Sequence, residues 1–266
     1  MEIIICRDAD EVGRVSAAKL ASVCAAAGAQ AVLGVATGSS PLATYSGLAA
    51  MVASGALDLS EAYAFALDEY VGLPAGHPES YARVIADTVT GPLRMDPARV
   101  HVPDGAAADL EEAAERYEAL IAAAGGVDVQ LLGVGSNGHV GFNEPSSSLA
   151  SRTRIKTLTA RTRADNARFF SAPQDVPRHC LTQGLGTIMD ARHVVLVAQG
   201  AGKADAVAAL VEGPVTAMVP ASVLQLHRRA TVVIDEAAAA RLTLSDYYRW
   251  TYEHKPAWQR FDGPAR

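Results

Sequence analysis

The adjacent carboxylates Asp68-Glu69 close an apolar run ahead of Tyr70. A carboxylate at the end of a buried strand can act as a general base if it points into the crevice above the sheet. The same pair also fits a helix cap or a surface turn. The stretch from Leu132 to Pro145 frames His139 with Gly133, Gly135, Gly138 and Gly141, and sets Glu144 five residues on. A carboxylate beside a histidine can fix its tautomer and tune it for acid–base work near neutrality. A lone histidine can equally be a satisfied structural residue. There is no second histidine at ligand spacing and no His-Glu-x-x-His motif, so no metal is expected.

Thr37-Gly38-Ser39-Ser40-Pro41 follows one apolar run and opens a helical pattern. Glycine lets the backbone approach a ligand, and free N–H groups at a helix start suit an anion. The segment is neither a P-loop nor a dinucleotide fingerprint, and a plain strand–helix turn reads the same way. The residues Arg152, Arg154, Lys156, Arg161, Arg163 and Arg168 follow the histidine loop, and Lys203 follows Gln199-Gly200-Ala201-Gly202. A solvated face is the ordinary reading of such a run. With 23 basic against 29 acidic residues and a net charge of −6, this local excess also suits phosphate capture by guanidinium forks.

Six short runs must position these groups: Glu2–Cys6, Ala31–Ala36, Tyr63–Leu67, Val129–Val134, Val194–Ala198 and Thr231–Ile234. Most are continuous Val, Ile, Leu and Ala, as in strands buried on both faces. Helical patterns alternate with them at Ala9–Ala27, Pro41–Ser54, Glu79–Thr88, Ala107–Ala124, Gly202–Val211 and Val215–Leu224. Asp104 is the expected cap of the fourth helix, and Gly125-Gly126 its end. The alternation predicts a doubly wound α/β fold, with a mostly parallel sheet flanked by helices. The stretch from Gly135 to about Leu185 breaks the rhythm and shows no clear core strand. It reads as active-site loops plus an inserted lid or subunit-contact segment. The aromatic, basic tail from Asp246 reads as an edge that docks on the body or on another subunit.

The 266 residues allow one large domain or two small ones, and we expect a single domain over 1–266 with a lid at roughly 158–185. Cys6, Cys24 and Cys180 are far apart and odd in number, as for buried reduced thiols. No stretch approaches the ~18 apolar residues of a membrane span. Glu2 stands where a signal peptide carries basic residues, so a cytoplasmic location is expected. The acidic balance and the lack of a basic stripe argue against nucleic-acid binding.

Taken in order, these stretches resemble the glucosamine-6-phosphate deaminase family over essentially the whole chain. The most specific pieces are Leu67–Tyr81 (LDEYVGLPAGHPESY), Gly138–Leu158 (GHVGFNEPSSSLASRTRIKTL), Leu181–Ala191 (LTQGLGTIMDA) and Val211–His227. The resemblance implies conversion of D-glucosamine 6-phosphate and water into D-fructose 6-phosphate and ammonia, without metal or organic cofactor. Asp68 would match the base that moves a proton between C2 and C1. His139 would match the residue that assists ring opening, with Glu144 as its carboxylate partner. The phosphate would sit on Thr37, Gly38, Ser39 and Ser40 with Arg168 and Lys203. Well-known members carry Asp before the Gly-His pair, whereas this chain carries Asn137. The amide lacks a charge, so His139 should have a lower proton affinity than beside Asp.

Some members of that family are hexamers activated by N-acetylglucosamine 6-phosphate between subunits. Its ligands map to the Met1 amino group, Ser147, Arg154 and Lys156, with Tyr247 or Tyr248 near a further tail position. A homo-oligomer, a hexamer foremost, and this effector are therefore expectations from the resemblance. A lactonase on the same fold would carry Asp-Glu-Arg where this chain has Asp68-Glu69-Tyr70. A deaminase for the galactosamine epimer differs by one hydroxyl contact. A non-catalytic sugar-phosphate sensor would keep the phosphate loop and lose the acid–base residues, which are all present here.

Overall fold

The computed structural model describes residues 1–74 and 76–261. In chain order the elements are β1 (Glu2–Cys6), α1 (Ala9–Ala27), β2 (Val32–Val35), α2 (Leu42–Ala53), β3 (Tyr63–Ala66), β4 (Asp68–Tyr70), α3 (Tyr81–Ile85), β5 (Val100–His101) and α4 (Leu110–Ala123). Then follow β6 (Val129–Leu132), β7 (Arg154–Thr157), α5 (Ala160–Asn166), β8 (His179–Thr182), α6 (Leu185–Met189), β9 (His193–Ala198), α7 (Ala204–Val211), β10 (Ala230–Asp235), α8 (Glu236–Ala239) and α9 (Ser245–Glu253).

Seven strands form a parallel sheet in the order β1-β10-β9-β6-β2-β3-β5. The continuous apolar runs explain why it is covered on both sides. Alternate residues diverge: Val194, Leu196 and Val232 pack with Tyr117, Ile188 and Leu210, while Val195, Val197 and Val233 pack with Val12, Leu20 and Leu48. One layer therefore draws on α4, α6 and α7, the other on α1 and α2. The chain runs outward from β2 to β3 and β5, then returns to lay β6 on the other side of β2. Strand order thus reverses between β2 and β6, and a crevice opens beyond their carboxyl ends. Gly34 of β2 meets β6 closely: a methyl there would stand 1.9 Å from Gln130 Oε1.

The stretch from Gly135 to Leu185 does contain strands. β7 and β8 join β4 in a second, antiparallel sheet of order β4-β8-β7. β7 reads as polar because its residues are only half-buried or exposed, whereas β8 buries Cys180, Leu181 and Thr182 completely. Three helical expectations also shift. α4 starts at Leu110 because Asp109, not Asp104, accepts from Glu111 and Glu112 N–H; Asp104 holds a turn through Ala106 N–H. The pattern at Glu79–Thr88 resolves into α3, capped by Ser80, and a π-helical turn over Ala86–Thr90. Val215–Leu224 is not an α-helix. Thr216 bridges Val219, and Pro220, which has no N–H to donate, opens a 3-10 turn to Leu226. The aromatic tail forms α9, which packs on β1, and Lys255 beyond it pairs with Glu2 at 2.5 Å.

Candidate active site

Four loops meet in the crevice at the reversal of strand order. The first follows β2, where the Tyr45 hydroxyl donates to Ala36 C=O at 2.8 Å and accepts from Ala36 N–H at 2.9 Å. This clamp from α2 fixes the exit of the strand, and Gly38 then turns the chain at φ +92°. Gln199, at the end of β9, donates to Ser40 C=O at 3.1 Å. The loop carrying Lys203 is therefore tied to the Thr37–Ser40 loop. Lys203 Nζ donates to Val134 C=O at 2.8 Å. Burial, and then the Arg168 cation, hold the ammonium below its usual proton affinity. Such a pair gains from a dianion between its members.

Asp68 stands where the chain changes sheets. Leu67 N–H still bonds Val35 C=O in the large sheet, and Asp68 already pairs with Thr182 in the small one. The carboxylate is 4% exposed and accepts no hydrogen bond among the described residues. Burial, with the neighbouring Glu69 charge adding to it, pushes its pKa up to about 8. Glu69 is buried too, but its oxygens are occupied: it accepts from the backbone N–H groups of Tyr70, Tyr81 and Ala82. One carboxylate of the pair is thus a helix-start anchor, and the other accepts nothing from the described residues.

The third loop follows β6. The Asn137 side chain donates through Nδ2 to Glu144 Oε2 at 2.8 Å, which turns its Oδ1 toward His139. That oxygen lies 2.7 Å from His139 Nδ1 and also accepts the His139 backbone N–H. Because Oδ1 can only accept, Nδ1 carries the proton and Nε2 is left as a proton acceptor. Glu144 reaches His139 through the amide; its direct distance to Nδ1 is 3.7 Å. Burial first, then Lys203 and Arg161, hold the imidazole below its ordinary proton affinity, against Glu144 and Asp165. Gly141 brings this loop against Asp68: a methyl on Gly141 would stand 3.3 Å from Asp68 Oδ2 and 3.0 Å from Thr182 Oγ1.

The fourth loop joins β7 to β8 and carries α5. Thr159 and Thr162 both donate to Glu144 Oε1, and Arg161 donates to Ser136 Oγ at 3.0 Å. Although burial disfavours its charge, these threonines and Asn137 keep Glu144 below the usual carboxylate range. Neither threonine was legible as a site residue, since their approach depends on how a chain segment of 15 to 18 residues closes.

The proposed effector residues are only partly gathered. Arg154 and Lys156 alternate along β7 and so share a face. Ser147 is buried, and its Oγ has no partner among the described residues. Met1 leads into edge strand β1 of the other sheet. No cluster of three or more His, Cys, Asp or Glu fit for a metal occurs among the described residues. No helix of the described residues is long and apolar enough to cross a membrane.

The family model for glucosamine-6-phosphate isomerases/6-phosphogluconolactonase matches residues 7–233. A glucosamine-6-phosphate deaminase of Cutibacterium acnes is 61% identical over 94% of this chain and 96% of its own. One from Streptomyces coelicolor is 58% identical over 97% and 99%. Among solved structures, a protein described as a monomeric glucosamine-6-phosphate deaminase superposes with a TM-score of 0.87 at 39% identity, over 91% of this chain and all of that one. A 6-phosphogluconolactonase from Trypanosoma cruzi shares the fold at a TM-score of 0.72 and 20% identity, covering 91% of this chain and 97% of its own.

Proposed function

The chain belongs to the glucosamine-6-phosphate isomerase/6-phosphogluconolactonase family, and we infer that it converts D-glucosamine 6-phosphate and water into D-fructose 6-phosphate and ammonia, a step of amino-sugar breakdown. The observation that carries the chemistry is the meeting of Asp68, buried and without a donor among the described residues, with the loop whose Asn137 Oδ1 takes up His139 Nδ1 and leaves Nε2 as the proton acceptor.

In this reading the phosphate binds Thr37–Ser40, Arg168 and Lys203, remote from the reacting carbons, and supplies positioning energy. His139 Nε2 takes the proton of the C1 hydroxyl and returns one to the ring oxygen, opening the pyranose. Asp68 removes the C2 proton while the substrate ammonium gives one of its protons to O1, giving an enolamine, and Asp68 then delivers its proton to C1. This leaves a protonated imine at C2, to which water adds and from which ammonia departs. Glu144 and Asn137 hold the imidazole in the tautomer this requires. The turns between β7 and β8 are our candidate for a lid. The test is ammonia release from glucosamine 6-phosphate by the purified protein. Release from the galactosamine epimer alone would reassign the substrate, and binding without release from either would make the protein a sensor.

The substitution at Asn137 has a direct readout. Asp at this position would bring a second carboxylate within 2.7 Å of His139 Nδ1, beside Glu144. In Asn137→Asp the imidazole of His139, followed by NMR, is expected to titrate at higher pH than in the wild type. An unmoved titration would refute a role for the missing charge.

We also propose that Ser147, Arg154 and Lys156 form one half of an effector site for N-acetylglucosamine 6-phosphate, completed by Met1 of another copy in a homo-oligomer acting in the cytoplasm. The shared face of Arg154 and Lys156 and the Ser147 hydroxyl, unpartnered among the described residues, support it. The structural relative described as monomeric stands against it. Light scattering with and without the effector decides: a monomer whose kinetics ignore it ends the proposal.

A further inference from the structure

The two hydroxyls that Glu144 accepts come from one short helical segment. Thr159 caps α5 and Thr162 lies in its first turn, and both donate to Oε1, the oxygen that Asn137 does not use. Thr162 is 3% exposed, so no water replaces it readily. The oxygens of Glu144 are therefore divided: Oε1 faces the helical segment between β7 and β8, and Oε2 faces the chain of contacts that ends at His139. Glu144 joins that segment to the imidazole.

We propose that Thr162 is a positioning residue for the acid–base histidine. By holding Oε1 it orients Glu144 so that Oε2 meets Asn137 Nδ2, which aims Asn137 Oδ1 at His139 Nδ1 and leaves Nε2 toward the substrate. Seating of α5 and readiness of His139 are then one event. Every link is a donor facing an acceptor: hydroxyl to carboxylate, amide N–H to carboxylate, imidazole N–H to amide oxygen. A charge-assisted bond of this kind is about twice as strong as a neutral one.

Other charges face the same imidazole and bear on its titration. Lys203 approaches from the turn after β9, and Arg161 and Asp165 from α5 itself. Displacing α5 would alter these as well, so the test must isolate the hydroxyl. Thr162→Val keeps the shape and removes only the donor. Losing a charge-assisted hydrogen bond, we expect kcat to fall about tenfold with KM within about twofold. We also expect His139 to titrate at lower pH by NMR, because Glu144 gives up its charge more easily. Thr162→Ser should restore both. In a Glu144→Gln background, where no charge remains to be oriented, Thr162→Val should add little further loss.

The kinetic arm rests on the deaminase reading, whereas the His139 titration does not. Should the wild type release no ammonia, the titration alone still decides. An unmoved His139 titration in a folded Thr162→Val protein overturns the proposal, as does a kinetic loss that adds in full to that of Glu144→Gln. If the valine variant does not fold, Thr162→Ala is read in the same way.

Discussion

Replacing Asp68 by Asn is expected to lower ammonia release by about 10³-fold or more, the upper part of what one general base contributes, while making the folded protein more stable at neutral and alkaline pH. Both effects come from one cause. The carboxylate is buried at 4% exposure and accepts no hydrogen bond from the described residues, so burial pushes its pKa up to about 8. Its folded-state pKa thus lies above that of the unfolded chain, near 3.8. The fold holds that proton more tightly, so Asp68 costs nothing below about pH 4. Stability is lost as pH rises toward 8 and the buried group is forced to ionise. Asn, an isostere of the protonated acid, carries no such cost. The gain in melting temperature of Asp68→Asn should therefore be near zero at pH 4, grow through neutrality and level off above pH 8. A gain of about 2–4 °C per kcal/mol is the scale for a chain of this size. The same ionisation sets the acidic limb of kcat/KM, because a protonated Asp68 cannot accept the C2 proton. A variant that keeps more than a tenth of the wild-type rate would remove Asp68 from the chemistry. A melting difference independent of pH would show that burial is not what raises its proton affinity.

The large sheet was legible because burial on both faces leaves an unambiguous trace. Runs such as Val129–Leu132 and His193–Ala198 are apolar almost throughout, and each falls close to its expected bounds. The small sheet was not. β4 has three residues, all with polar groups, and they read as chemistry before they read as a strand. β7 offers Arg, Ile, Lys and Thr, whose alternation reflects partial exposure rather than a core. Yet this sheet decides which of two adjacent carboxylates is held by backbone N–H groups and which, in our reading, reacts. Pairing with β8 sends Asp68 toward Gly141 and gives Glu69 to the start of α3. His139 stood out through its glycines, and Glu144 through its spacing. The order of their contact did not: the amide of Asn137 lies between them and serves both, one with each end. Asn137, expected among the catalytic residues as a hydrogen-bonding group without the usual charge, is thus also the group that determines the tautomer.

Gly135→Ala is expected to cost about 100-fold or more in kcat/KM, on the scale of losing a positioned acid–base group, with the fold intact. Of the glycines around His139, Gly138 and Gly141 have positive φ, whereas Gly133 and Gly135 are not needed for a left-handed backbone. The constraint on Gly135 is contact. A methyl on Gly135 would stand 2.1 Å from His139 Cε1 and 2.3 Å from both ring nitrogens. The imidazole lies flat against this bare backbone, and real carbons do not approach so closely. The ring would have to swing away, breaking the 2.7 Å contact with Asn137 Oδ1 that holds the tautomer. The proposed phosphate ligands lie on other segments, so substrate affinity should change little and the loss should fall on kcat. Gly133→Ala is the matched control. It lies two residues away on the same loop, and its added methyl would meet only Ser40 Cβ, at 3.8 Å, an ordinary contact. We expect that variant within a few-fold of wild type. If Gly135→Ala also stays within about threefold of the wild type, the imidazole has room to work from another position. The requirement for a ring fixed by Asn137 would then fall, and with it the reason for a glycine at 135.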